Sequence, residues 1–288
     1  MITLSALHIY PIKSCGGISL PQAAVGEFGL NLDRSWMLVD SDGHFLSQRE
    51  HGRLATISTA LEHDTPALLT VRAPGMADLH LPSRIEDGAG RLAVTIWDDG
   101  VEALDCGAAA HRWFSDYLQA DVRLVRFDPQ ARRICSPRWT GDLMATTQFS
   151  DGFPILVVGE ASLQDLNRRL QKKGAPALPM DRFRPNLVLS GLEAYEEDYL
   201  DTLSFGPAGR EVVLRLVKPC ARCPVPGIDQ QTGLRDADWP DEPLDTMAVY
   251  RANERVGGGL TFGQNAIVMQ GWGNLLAVGQ DVAGELAF

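Results

Sequence analysis

The chain has 288 residues, 45% of them hydrophobic and 22% charged, and a formal net charge of −11 at pH 7. That length allows one large domain or two small ones with ample core, and the acidic balance argues against general nucleic-acid binding, which needs positive charge to meet phosphates. No apolar run approaches the roughly 18 residues of a membrane span. The N-terminus shows no secretion signal, and five cysteines without framework spacing suit a reducing cytoplasm. Basic residues that cluster in such a chain call for a local explanation.

Residues 2–12 read as a strand, and 35–39, the turn Asp40-Ser41-Asp42-Gly43 and 44–46 read as a hairpin. Further strands fall at 68–71 and 92–97, the second ended by Asp98-Asp99-Gly100. A helix is predicted over 108–118, where Trp113, Phe114, Tyr117 and Leu118 form an apolar face that reads as core and not as a ligand box. The first 125 or so residues are thus mainly β, and the pattern becomes mixed after Arg126. Residues 161–173 form an amphipathic helix with Leu163, Leu166 and Leu170 on one face and Gly174 as its stop. Arg168, Arg169, Lys172 and Lys173 crowd its last turns, where cations oppose the negative dipole end, so they read as a solvated face. Strands are predicted at 186–189, 211–217 and 266–269, and 236–242 reads as an exposed acidic loop. The fold class is mixed α/β and β-rich.

The most informative segment is Lys218-Pro219-Cys220-Ala221-Arg222-Cys223-Pro224-Val225-Pro226-Gly227. It follows a predicted strand and is rich in proline, which places the thiols where a strand gives way to an irregular loop, a usual location for functional residues. A C-x-x-C pair is compatible with a zinc half-site, a redox pair or two unrelated thiols. Four-ligand zinc needs a second pair, yet Cys15, Cys106 and Cys135 are far apart and no histidine follows His111. The Pro-Val-Pro-Gly that follows is also unlike a thioredoxin-type helix start. Any metal held here would need ligands from outside the protein.

Four separated segments, Tyr10-Pro11-Ile12-Lys13-Ser14-Cys15-Gly16-Gly17, Asp33-Arg34-Ser35-Trp36, Phe183-Arg184-Pro185-Asn186 and Lys218-Pro219-Cys220-Ala221-Arg222-Cys223, resemble the signatures of MOSC-domain proteins, in particular the amidoxime-reducing type. The resemblance covers nearly the whole chain. It implies a MOSC N-terminal β-barrel domain over 1–125 and a MOSC β-barrel-like domain over 126–288. It also implies a molybdenum cofactor (molybdenum held by molybdopterin), with the pterin supplying two sulfurs and Cys223 a third. Cys220 reads as a buried small hydrophobe.

The other matched residues would hold the pterin and its phosphate. Lys13 and Ser14 would offer an ammonium, a hydroxyl and loop N–H groups near Gly16 and Gly17. Arg34 and Arg184 offer planar forks suited to phosphate, and Arg222 would contact the pterin. Asp151-Gly152-Phe153 matches a further cofactor segment, in which Asp151 would bind a ring nitrogen or cap the turn before Pro154. Phe153 stands where the mitochondrial proteins carry serine, so a hydroxyl contact is lost while a backbone contact remains available. Asp229 is a candidate proton donor at the open site, or a turn stabiliser.

The resemblance implies an enzyme that reduces N-hydroxylated compounds such as amidoximes and hydroxylamines. The alternative is a cofactor carrier or sulfur-transfer protein, since MOSC domains also occur in cofactor sulfurases; a third reading is a member that has lost the cofactor. No four-cysteine tail follows the last strands, so electrons are expected from a separate donor protein, and the acidic surface would suit a basic one.

Overall fold

The computed structural model describes residues 1–62, 68–84, 88–207 and 209–287. Its centre is a closed barrel of seven strands. Around the barrel these run Ile155–Gly159, Leu187–Ser190, Ile2–Ile9, Asp281–Leu286, Leu200–Phe205, Val212–Ala221 and Gly259–Gln270, which pairs back with Ile155–Gly159. Every neighbouring pair is antiparallel except Ile155–Gly159 with Leu187–Ser190. A parallel pair needs a crossover, and helix Glu160–Lys173 supplies it.

The run Ile155-Leu156-Val157-Val158 is apolar throughout because both of its faces are covered. Side chains alternate across a strand. Ile155 and Val157 join Leu187, Leu189, Leu4 and Leu7 inside the barrel, while Leu156 and Val158 pack outward against Leu166 and Leu170 of the helix. Gly174 closes that helix in the left-handed region at φ 90°, the stop expected from the sequence.

The first half of the chain forms two further sheets. One orders Trp36–Val39, Arg123–Phe127, Asp99–Asp105 and Arg91–Ile96; the other contains Ser58–Glu62, Leu68–Arg72 and Leu79–Pro82. Helix Ala108–Leu118 buries Trp113, Phe114 and Tyr117 against Trp36, Leu69 and Leu124, as its apolar face predicts. Among the described residues there are four α-helices, and none is long and apolar enough to cross a membrane.

Several segments differ from the sequence reading. The first strand stops at Ile9, and Pro11–Lys13 then bonds to Trp36 of the second sheet, through Trp36 N–H to Pro11 O and Lys13 N–H to Trp36 O. The turn after 91–96 is Trp97-Asp98, and Asp99 opens a strand that was not foreseen. The strand expected over 211–217 continues to Ala221, so Cys220 lies within it and Cys223 just beyond. Pro219 has no N–H to give the ladder, and the register shifts on both sides of it, between Leu216 and Lys218 and between Pro219 and Ala221.

The two halves approach closely where Gly52 meets Gly233. A Cβ on Gly52 would lie 2.2 Å from the Gly233 carbonyl oxygen. Gly52→Ala should therefore force the halves apart at a cost of about 1–3 kcal/mol. Thermal unfolding should show Tm lowered by roughly 2–4 °C for each of those kcal/mol; an unchanged Tm would mean the backbones separate freely.

Candidate functional site

Antiparallel pairing decides where the chemistry collects. Strand Ile2–Ile9 ends at the barrel rim where Leu187–Ser190 begins, since Leu7 pairs with Leu187. Ile155–Gly159 is parallel to the latter and starts there too, and Val212–Ala221 finishes there, with Ala221 opposite Thr261. The loops carrying the four sequence segments thus converge on one rim. They enclose a cleft of about 370 Å³, completed by Phe45, Gln48, Arg49 and Trp97 from the N-terminal half.

Of the sequence-derived candidates, Lys13, Ser14, Arg34, Asp151, Gly152, Phe153, Arg184, Arg222 and Cys223 all line this cleft. Asp229 does not. Its carboxylate accepts the N–H groups of Gln231 and Thr232 at 3.0 and 2.9 Å and pairs with Arg182 at 2.8 Å. Burial pulls its pKa up, but those hydrogen bonds and the Arg182 charge outweigh it, so the carboxyl titrates below its ordinary range. The geometry is that of a turn stabiliser, the second of the two roles weighed for it.

The cleft is strongly cationic although the chain is acidic. Lys13, Arg34, Arg49, Arg184, Lys218 and Arg222 face it, against the single carboxylate of Asp151. Arg34 and Arg184 share one platform: each guanidinium carbon lies 4.3 Å from the centroid of the Tyr10 ring. Burial pushes the Tyr10 phenol up to about 12, so the ring stays neutral beneath the two cations. Arg34 Nη1 donates to both carboxylate oxygens of buried Asp33, at 2.8 and 2.6 Å, and Nη2 to the Arg184 carbonyl at 3.2 Å. Arg184 donates to Cys15 O at 2.7 Å and to Gln230 Oε1 at 3.1 Å, with no carboxylate partner among the described residues. Burial lowers its pKa, helped by the Arg34 charge.

Backbone strain gathers here as well. Ser14, Arg34, Trp97 and Arg184 adopt left-handed φ of 69°, 46°, 55° and 54°. Such conformations cost on the order of 1–3 kcal/mol each and persist only where the surroundings impose them.

Lys13 Nζ donates to Phe149 O at 3.0 Å and to Asp151 Oδ1 at 2.5 Å, and Trp97 Nε1 donates to the same oxygen at 3.2 Å. Partial desolvation by the cleft walls raises the Asp151 pKa, although the side chain is 71% exposed, but Lys13 overrides this and holds the carboxyl well below the carboxylate range. The backbone around Asp151 is clamped from behind by Arg133, which the sequence reading did not single out. This buried side chain donates to the carbonyls of Gln148, Ser150 and Asp151 and pairs with Asp99 at 2.7 Å.

Of the loop N–H groups expected near Gly16 and Gly17, that of Lys13 donates to Trp36 O. Gly16 N–H donates to Ile57 O, and Cys15 N–H to Ile12 O. The glycines serve close approach instead: a Cβ on Gly17 would lie 2.5 Å from the Tyr10 ring. Phe153 is 7% exposed and packs with Cys135, Val217 and Ile267, so most of its ring fills core at the cleft wall.

The cysteines divide clearly. Burial pushes Cys15 and Cys135 up to about 12, which leaves them as protonated packing residues. Cys220 and Cys223 are half-buried and face the cleft. Arg222 Nη1 donates to Cys220 Sγ at 3.0 Å and Nη2 to Phe183 O at 2.7 Å, so this arginine braces the first cysteine and leaves the second to the cleft. A soft thiol beside a dense positive field, with a polar floor, fits an anionic cofactor that carries most of its own metal ligands.

Residues 1–121 match the MOSC N-terminal beta barrel domain and residues 145–283 the MOSC domain. The chain is 36% identical over 262 residues to mitochondrial amidoxime reducing component 2 of Rattus norvegicus, a match covering 86% of this chain and 72% of that protein. It is 35% identical over 257 residues to mitochondrial amidoxime-reducing component 1 of Homo sapiens, with the same coverage of 86% and 72%. Molybdenum cofactor sulfurase of Homo sapiens is 29% identical over 245 residues, covering 80% of this chain and 27% of that protein.

Removing the Arg133 clamp tests how the Asp151 loop is held. Arg133→Ala should cost about 1.5–3 kcal/mol, the usual loss for a charged hydrogen-bond donor. Urea unfolding should report it, with faster proteolysis within 148–153. Wild-type protection of that segment would show that Lys13 and Trp97 suffice.

Proposed function

Because the chain belongs to the MOSC family, we propose that the cleft holds a molybdenum cofactor and that the protein is an oxidoreductase acting on N-hydroxylated compounds, amidoximes and hydroxylamines among them. One observation carries the reading: six cations and a half-buried cysteine meet on a single rim of a chain with net charge −11. The names of the amidoxime-reducing relatives support the substrate class. When bound, the cofactor supplies a two-electron centre able to accept oxygen from the substrate.

The chain's own part is binding and positioning. Cys223 offers the one protein thiolate. Arg34 and Arg184, fixed on Tyr10, hold the phosphate, and Lys13 shares its charge between that anion and Asp151. Ser14, whose hydroxyl is turned to Leu46 O at 3.2 Å, contributes its strained backbone. Gly152 and Phe153 supply main-chain contacts, since a Cβ on Gly152 would meet nothing within 4 Å. Arg222 keeps Cys220 out of the ligand role.

The same proposal includes the division into an N-terminal domain over 1–125 and a MOSC domain over 126–288, with strand Ile2–Ile9 lent to the barrel of the second. It includes a separate electron-donor protein. It also includes a reducing compartment, the cytoplasm, which five free cysteines support.

Metal analysis tests the ligand. Cys223→Ala should lose bound molybdenum, whereas Cys220→Ala should keep it; the reverse pattern would sink the assignment. Activity is tested with an artificial low-potential reductant. The loaded protein should reduce benzamidoxime with that donor and show no turnover with a pyridine nucleotide alone, since no Gly-rich dinucleotide fingerprint occurs. If fully loaded protein reduced no N-hydroxylated substrate, the sulfur-carrier function would become the better account.

A further inference from the structure

Positive charge continues outward from the cleft in a way that cofactor binding leaves unused. Trp139, beside helix-forming Pro137 and Arg138, is approached by three cations from three parts of the chain. Arg138 lies 5.4 Å from its ring, Lys218 5.5 Å and Arg255 5.7 Å. Arg138 and Arg255 are exposed, and Lys218 also lines the cleft, so the group is continuous with the cleft mouth.

Among the described residues no carboxylate pairs with any of the three. Asp142 and Glu254, near them along the chain, form no ion pair with them either. Several cations elsewhere on the surface do pair with carboxylates. Arg168 and Arg169 pair with Asp165, Arg215 with Asp201, Arg72 with Asp78 and Lys173 with Glu242. Acidic residues outnumber basic ones in this chain, 37 to 26, yet among the described residues none is the partner of these three cations. Three that gather on one indole without one form a site of unspent attraction for an anionic surface. Their stacking on the ring, worth about 0.5–1 kcal/mol for an exposed cation, holds them together while leaving their charge uncompensated.

We propose that Arg138, Lys218 and Arg255 around Trp139 form the docking surface for the electron donor, and that the donor presents an acidic face. This rests on the reductase reading above and reverses the polarity expected from net charge. A docked carrier would lie next to the rim that holds Cys223, which is the arrangement that electron delivery requires. One donor electron pair would pass to the bound centre, leaving the donor oxidised by two electrons and the centre reduced by two; protons for the released water come from solvent.

The global and local charges predict opposite salt effects. Two acidic proteins repel overall, and added salt screens that repulsion and tightens binding. A local basic patch meeting carboxylates binds best at low salt and weakens as salt rises. The probe is labelled flavodoxin, an acidic flavin carrier, with binding read by fluorescence anisotropy and reduction of benzamidoxime read separately. Binding to the holoprotein should weaken with added salt, and the Arg138→Glu/Arg255→Glu double variant should bind roughly tenfold more weakly. The variant should retain molybdenum and its rate with the small artificial reductant, since neither residue lines the cleft. Binding that strengthens with salt, or a double variant that binds as the wild type does, would overturn the proposal. So would turnover supported by the small reductant but not by reduced flavodoxin. Failure with the small reductant, with salt-sensitive binding intact, would instead remove the reductase reading and leave the acidic-partner surface standing.

Discussion

Arg34 and Arg184 press against the same buried tyrosine, and the cleft depends on how the repulsion between them is contained. Two guanidinium groups out of bulk water repel unless acceptors and polarizable surface surround them. Here the containment is specific. Asp33 sits behind Arg34, and Asn186 accepts from it at 3.1 Å. Carbonyls of Arg184 and Cys15 take further N–H groups, and the Tyr10 ring lies under both. Asp33 also accepts the Tyr10 N–H at 2.8 Å, so one carboxylate fixes both the arginine and the ring it rests on. Arg34 and Arg184 both hold a left-handed φ here, a conformation that persists only where the surroundings impose it.

The barrel gives those residues a rigid base. Asn186 shows the connection: its side chain accepts Leu156 N–H and donates to His8 O, tying three strand ends together just beneath the arginines. The N-terminal sheets add a second wall. Gln48 reaches across to Gln230 at 3.0 Å and also bonds the Ser14 carbonyl, so the two halves meet at the cleft through polar contacts as well as through the Gly52–Gly233 approach. The cleft thereby lies at a seam, the usual location for a site that must admit a large ligand.

Much of this was legible in the sequence, for identifiable reasons. The helices expected over 108–118 and 161–173 announce themselves because each buries one apolar stripe, and the second ends at Gly174, the stop that the sequence offers. The site residues on the four motif segments and on the further segment 151–153 were legible through family resemblance, and six of the first and three of the second reach the cleft. Arg49, Trp97 and Lys218 were not singled out, since their approach depends on which loops the topology brings together. Asp229 was placed near the open site by its distance from Cys223 along the chain, but its decisive partner, Arg182, is 47 residues away. Gly16 and Gly17 carry the composition of an anion-binding loop; the room they leave is taken by Tyr10 and the Ile57 carbonyl.

Strand Ile2–Ile9 closes the barrel between Leu187–Ser190 and Asp281–Leu286. It emerges from the ribosome long before either partner exists. Its inward face, Leu4, Leu7 and Ile9, must therefore wait as exposed apolar surface while more than half the chain is made. Pairings of such long sequence separation form slowly, because loop closure must come before any contact offsets it. Lys13 hangs from the end of that waiting strand. The cleft is thus among the last features of the molecule to take shape, and a nascent chain has no pocket to load until synthesis has passed the final barrel strand.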